Sequence, residues 1–336
     1  MVQIEENKIK RLPIPSEFYR PSIIGSISFI VYTLALYTVP AFLARVLLLT
    51  PLPLPLAALL MLPLIWLAAQ GMLLFAWLGH EGFHLLLHRN KFVSALTGVF
   101  FASALPTYFE TGSAISHWNH HRFTNQASDP DCQIFQHFQS FWSRLFLARI
   151  VANFKYFTNT LKMALNLPLS YSYQFPFKSR SVVLLAWANI AFSVLWLAFY
   201  AAVTIYDPVT GIVCILLPAT VMYFISSLQP YLEHTGTAIG LGRDAKTQTS
   251  LIFTWLYFGN NYHLEHHLYP GVPCYRLPAV HRLLQEQGFY DRAASGGLIE
   301  PSVLKPYIQA LSVSYPQAAS QDSAFDPMVP VSLSGN

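Results

Sequence analysis

Residues 52–84 read LPLPLAALLMLPLIWLAAQGMLLFAWLGHEGFH, an apolar run closed by two histidines four residues apart. From Leu52 to Leu78 its most polar member is Gln70. At 1.5 Å per residue the run exceeds the ~20 residues that cross ~30 Å of hydrocarbon. A run of the same kind precedes it, Ser22 to Thr50, with one charge at Arg45 and a kink expected at Pro40. A short turn joins the two, so they form a hairpin. Two further runs, Val182–Ile205 and Val209–Leu228, are joined by Tyr206-Asp207-Pro208 and form a second hairpin.

The composition agrees. Of 336 residues, 54% are hydrophobic and 11% charged, against about 25% charged in a soluble domain. That excludes a disordered chain and argues against a soluble enzyme. The expected fold class is all-α: an integral, multi-pass membrane protein with four transmembrane helices in two hairpins under a cytoplasmic helical cap. Residues 1–21 read as a cytoplasmic N-terminal segment and 22–311 as a single membrane domain. Residues 312–336, rich in Ser, Ala, Gln and Pro, read as a disordered tail. The net charge of +4 reports orientation rather than nucleic-acid binding, and no nucleic-acid partner is expected. If four helices span, only Arg45 and Asp207 lie near the far side. The other 19 of the 20 Lys and Arg then lie on the near side, which makes that side cytoplasmic, with both termini. Glu5, Glu6 and the late, long apolar run give no sign of a cleavable leader. Cys132, Cys214 and Cys274 have no CxxC spacing, which excludes a disulfide framework and a thiolate zinc site.

Two segments are less plain. Phe92–Phe109 has 18 mostly apolar residues and taken alone has the length to span. Ser140–Leu167 reads as a helix lying on the membrane or on the protein. Its Arg144, Lys155 and Lys162 fall on one stripe at 100° per residue, and Phe141, Leu145, Phe154, Phe157 and Leu161 fill much of the rest.

Histidine carries the chemistry. Nine of the twelve fall in a pattern: His80 and His84; His117, His120 and His121; His234; His263, His266 and His267. Residues at i, i+3 and i+4 share a helix face, so each cluster presents its imidazoles in one direction. Neutral imidazole is the commonest protein metal ligand. Nine overfill one site and suit two ions of four or five nitrogen ligands each. Imidazole alone does not choose among zinc, copper, iron and nickel. His88, His137 and His281 read as ordinary surface or satisfied core residues. His80-Glu81-Gly82-Phe83-His84 also fits the H-E-x-x-H zinc-protease pattern, with Glu81 activating water. That reading leaves the other two clusters without a role. Glu81 reads better as a group orienting a ligand imidazole, as do Glu110, Asp129, Asp131, Glu233 and Glu265. A metal transporter would string its ligands along a route across the membrane, whereas these gather on one side.

The order HEGFH, HWNHH and HLEHH between two apolar hairpins resembles the membrane fatty acid desaturase superfamily. HHRFTNQASDPD after the second cluster and NNYHLEHHLYPGVPCYRLPAVHRLL around the third add to the resemblance, which runs to about Leu284. It implies a non-haem di-iron oxidoreductase that uses two Fe ions and O2 on a long apolar chain. The ligands it implies are His80, His84, His117, His120, His121, His263, His266 and His267. His234 stands where some branches carry a further ligand. Four residues before it some branches have an Asn that holds a water, and here that position is Pro230. The spacings lean towards an acyl-lipid desaturase, or towards relatives that hydroxylate or ketolate a carotenoid or alkane, or decarboxylate a fatty acid to a terminal alkene. A shared metal centre puts His84 and His117 on one side, so Phe92–Phe109 should dip in and return or lie against the bundle. Trp118, Trp255 and Tyr262 are candidate neighbours of the centre. No HPGG haem signature and no strand–GxGxxG–helix unit is present. A separate ferredoxin or cytochrome b5 is therefore implied as electron donor, with Arg122, Arg243 and Arg276 as candidate contacts.

Overall fold

The computed structural model describes residues 10–172 and 174–319. Among the described residues four helices are long and apolar enough to cross a membrane: α1 (Ile23–Leu47), α2 (Leu54–Phe83), α8 (Ser179–Tyr206) and α9 (Pro208–His234). Ser22 caps α1 by accepting from Gly25 N, and Pro55 stands in the first turn of α2, where its missing N–H costs no bond. α9 runs as a π-helix from Gly211 to Leu216. Both hairpin turns lie at one end of the bundle, where the two charges expected there meet. Arg45 Nη2 lies 3.3 Å from Asp207 Oδ2. Asp207 also caps α9, accepting from Val209 N and Thr210 N at 3.1 Å each.

The 30 residues of α2 extend roughly 45 Å, well beyond the hydrocarbon thickness. α2 and the 27-residue α9 are thus long enough to cross and still carry His80, His84 and His234 at the far end of the crossing length. His84 ends α2. Leu85 takes a left-handed φ of 66°, and the following N–H of Leu86 reaches back to Glu81 O, so the helical series does not continue to His88.

The ambiguous apolar segment is a short helix, α3 (Lys91–Ala102), capped by Asn90, followed by a turn. Twelve residues reach roughly 18 Å and do not span. Glycine fixes where it lies: a Cβ on Gly82 would meet Gly98 Cα at 2.7 Å, so α3 packs directly on the end of α2. Its freed carbonyls find partners on α8. Tyr200 OH donates to Ala104 O at 2.8 Å and Trp196 Nε1 to Phe100 O at 3.1 Å. This is the covered, non-spanning arrangement that lipid demands of interrupted backbone.

The remaining elements cap the histidine end. They are α4 (Glu110–Phe123), α5 (Pro130–Phe135), α6 (Phe141–Phe146) and α7 (Ala148–Ala164), and then, beyond α9, α10 (Leu251–Tyr257), α11 (His263–Leu268), α12 (Leu277–Glu286), α13 (Phe289–Arg292) and α14 (Lys305–Ser312). Two residue pairs of parallel strand, Thr247↔Ile299 and Gln248↔Glu300, tie the C-terminal part to the loop before α10. The fold is mostly helical, as expected.

Two expectations are corrected. Ser140–Leu167 is not one helix, because Leu147 (φ −105°) breaks it between α6 and α7. Arg144 consequently leaves the stripe shared with Lys155 and Lys162. It is buried, donating from Nη1 to Ala310 O and Val313 O at 2.8 Å each, with its guanidinium over the Tyr231 ring. The tail does not loosen at Ser312. Tyr315 is 1% exposed between Phe135 and Tyr231, and Cys132 Sγ donates to Pro316 O. Residues 320–336 lie outside the described residues.

Candidate metal centre

α2, α4, α9 and α11 all deliver histidines to the same end of the bundle. The nine imidazoles form two groups: His80, His84, His117, His121 and His266, and His120, His234, His263 and His267. Adjacent residues therefore part company: His120 and His121 face different groups, as do His266 and His267. At about 100° per residue, neighbours on a helix point apart, which is how one short motif feeds two sites.

In the first group four Nε2 atoms close a ring. His80 lies 3.0 Å from both His117 and His266, and His121 lies 2.8 Å from His117 and 2.9 Å from His266. A square with an edge of about 2.9 Å has corners about 2.1 Å from its centre, the length of a metal–imidazole bond. The fifth member sits over this ring: His84 Nε2 is buried without a partner, and its ring centroid is 4.5 to 5.3 Å from the other four. The donors thus offer five nitrogens, more than a tetrahedral site takes. In the second group His263 Nε2 lies 3.2 Å from His234 and 3.1 Å from His267, and His120 Nε2 is buried without a partner. Here the ring is open, and Glu233 Oε2 stands 3.7 Å from His263 Nε2. Lone pairs of like atoms facing one another in a buried site are costly unless a cation takes them up.

Burial first, and neighbouring imidazoles second, hold His84, His117, His121, His263, His266 and His267 well below the usual histidine pKa. They are neutral at pH 7, the form that binds a metal. His120 differs. Burial opposes its protonation, but Asp129, then Asp131 and Asp244, outweigh burial and lift it to about 9. Its Nδ1–H donates to Asp129 Oδ1 at 2.9 Å, which aims Nε2 at the group.

The proposed orienting carboxylates fare unevenly. Asp129 holds His120 and also accepts from Asn125 N and Asp131 N. Asp131 is 3.9 Å from His120 Nδ1. Glu81 Oε1 stands 3.6 Å from His80 Nδ1, while its Oε2 accepts from Cys274 N at 3.0 Å. Its carboxylate is thus committed to the cap backbone rather than aimed as a zinc-protease base. Glu265 points away from the groups into a buried cluster with Thr247, His281 and Tyr290. That makes His281 a satisfied core residue, while His88 and His137 are exposed. Glu110 is buried, and burial raises its pKa. Trp118 stacks near His84, Tyr262 lies beside His281, and Trp255 is half-exposed against Tyr32, remote from either group.

Sequence reasoning missed three contributors. Trp77, one turn before His80 on the same face, packs edge-on to both His80 (5.0 Å) and His263 (6.4 Å) and so touches both groups. Its i, i+3 spacing was a usable signal. Asp244 O accepts from His234 Nδ1 at 2.9 Å, and Tyr315 lies 6.1 Å from the His234 ring. Neither position carries a local pattern.

A cavity of about 420 Å³ opens onto both groups, reaching His80, His84 and His117 of the first and His120, His234 and His263 of the second. Its wall is otherwise mainly apolar, from Leu73, Trp77, Phe83, Leu105 and Met222 among others.

None of the curated proteins compared matches the chain. A family model described as fatty acid desaturase matches residues 49–294, a span that holds all nine clustered histidines and three of the four membrane helices. With its apolar bundle, histidine-bearing helix ends and cavity, the chain belongs to the fatty acid desaturase family.

Proposed function

We propose that this oxidoreductase is an O2-dependent, di-iron enzyme that attacks an unactivated C–H bond of a long apolar chain, most simply as a fatty acyl desaturase. The observation that supports this best is the pair of histidine groups opening on one largely apolar cavity. His80, His84, His117, His121 and His266 would hold one ion, and His120, His234, His263 and His267 the other. Two irons held there supply the oxygen-dependent, hydrogen-abstracting chemistry that an unactivated methylene needs. The chain's own residues do the rest. Asp129 keeps the proton of His120 on Nδ1, Trp77 fills the space between the groups, and the apolar wall holds the substrate chain and excludes water. Positioning decides the product, since an ångström of misplacement is costly.

In this reading residues 22–311 form one membrane domain with the active site and both termini in the cytoplasm, and reducing equivalents come from a separate ferredoxin or cytochrome b5. Metal analysis of the purified protein tests the core of it. About two irons per chain is the expected result, and one zinc would overturn it. Feeding defined fatty acids to an expressing host under oxygen-18 separates outcomes: desaturation leaves no label in the product, hydroxylation does, and carbon loss gives a volatile alkene.

A further inference from the structure

We propose that Arg149 and Asn153 are the head-group site of the substrate cavity, and that the head they hold is a free carboxylate. This deepens the acyl-chain reading above and rests on it. The two residues stand one turn apart on α7 and both line the cavity that reaches the histidines. Each carries a buried polar atom without a hydrogen-bond partner, Arg149 Nε and Asn153 Oδ1. What they do bond is modest. Arg149 donates from Nη2 to Ser226 O, and Asn153 Nδ2 donates to Thr107 Oγ1 at 3.3 Å. Among the described residues Arg149 forms no ion pair.

Two carboxylates feel its charge, Glu233 and Asp131. Both are turned to the histidines, 3.7 Å from His263 Nε2 and 3.9 Å from His120 Nδ1. The guanidinium thus lines the cavity without an ion pair of its own, while the carboxylates that share the lining are Glu110, Asp131 and Glu233. Such a fork matches a carboxylate better than any neutral group, because two parallel N–H donors meet two oxygens. An ester or thioester carbonyl offers one neutral acceptor, so it would leave half of the fork unused. The outer face of α7 explains entry. Ile150, Val151 and Phe154 are exposed beside Arg149 and Asn153, so the helix turns an apolar side outward and its polar side to the cavity. A single-chain amphiphile entering from lipid passes its head beneath that edge.

The test is binding, which needs no turnover. A fluorescent polyene fatty acid and its methyl ester are titrated against the full-length protein in detergent, with metal content measured on each sample. The wild type is expected to bind the acid at least tenfold more tightly than the ester. Arg149→Gln should abolish that preference while leaving ester binding and metal content unchanged. Arg149→Lys, which keeps charge but not the fork, should keep part of it. Equal affinity of the wild type for acid and ester would overturn the proposal even if no variant folds, and so would an Arg149→Gln protein that still prefers the acid. Loss of the di-iron reading would appear separately, as a metal content other than two, with the acid-to-ester ratio still readable.

Discussion

The two histidine groups differ in how they are held. The five-membered one is built largely on regular helix: His80 from a membrane-spanning helix, with His84 capping it, His117 and His121 from α4, and His266 from α11. Its four Nε2 atoms already form a closed ring. The four-membered one also takes its ligands from helices, α4, α9 and α11, but the groups that orient them lie on irregular chain. Asp129 orients His120, the loop carbonyl of Asp244 orients His234, and Tyr315 packs against the same ring from beyond the last helix. A site framed by helices is pre-shaped, whereas one whose orienting groups lie on loops depends on distant segments staying docked.

The largest effect should come from the ligands themselves. His121→Ala and His267→Ala are each expected to abolish turnover and to cut the metal content from about two ions to about one, measured by elemental analysis. Loss of both ions from either variant would show that the groups are one cooperative site. Next come the orienting carboxylates. Asp129→Asn should weaken metal binding at the four-membered group by roughly 10- to 100-fold. Glu81→Gln, whose carboxylate stands 3.6 Å from His80, should do less. Chelator-competition titrations that ranked the two the other way would reverse the contrast between the groups.

The docked C-terminal segment is the third probe. Replacing the fully buried Tyr315 by Ala should cost on the order of 3 kcal/mol or more, read as a lower Tm, and the second ion should be lost before the first. The smallest effect is on pH. In the metal-free protein six histidines have folded pKa values depressed by burial, below an unfolded value of about 6.5. The unfolded chain then binds more protons in acid, so their stability is present above pH 6.5 and is lost as pH falls below it. His120, raised to about 9, works in reverse: its contribution is full below 6.5 and fades as pH rises through 9. The carboxyls of Glu110, Asp131 and Asp244, raised by burial, act with His120 and gain as pH falls, so six against four predicts a metal-free Tm that falls modestly on acidification, and a Tm that rises from pH 7 to 5 would contradict the buried, neutral assignment.

What could be read from the sequence follows from the range of the forces involved. Four spans were legible because twenty consecutive apolar residues have few other uses, and the paired histidines because helical spacing is local. The orienting roles were partly legible, since Asp129 follows its cluster closely, but Glu265 sits inside HLEHH and still turns away from the groups. Arg144 shows where periodicity fails. One break at Leu147 moves it from a stripe of cations to a clamp on the chain at Ala310 and Val313. Tyr315, in a stretch whose composition argued for disorder, is fixed by Phe135 and Tyr231, which no local pattern reveals.

α2 is one continuous helix of 30 residues, with Pro63 inside it, that is long enough to cross a membrane from its start and carries His80 near its end. The height of that imidazole above the lipid is therefore set by the helix's length and by how far it leans. A thinner bilayer would raise the histidine groups away from the acyl layer and a thicker one would draw them down, so on the proposed function the thickness of the host membrane is itself a variable in which carbon is presented.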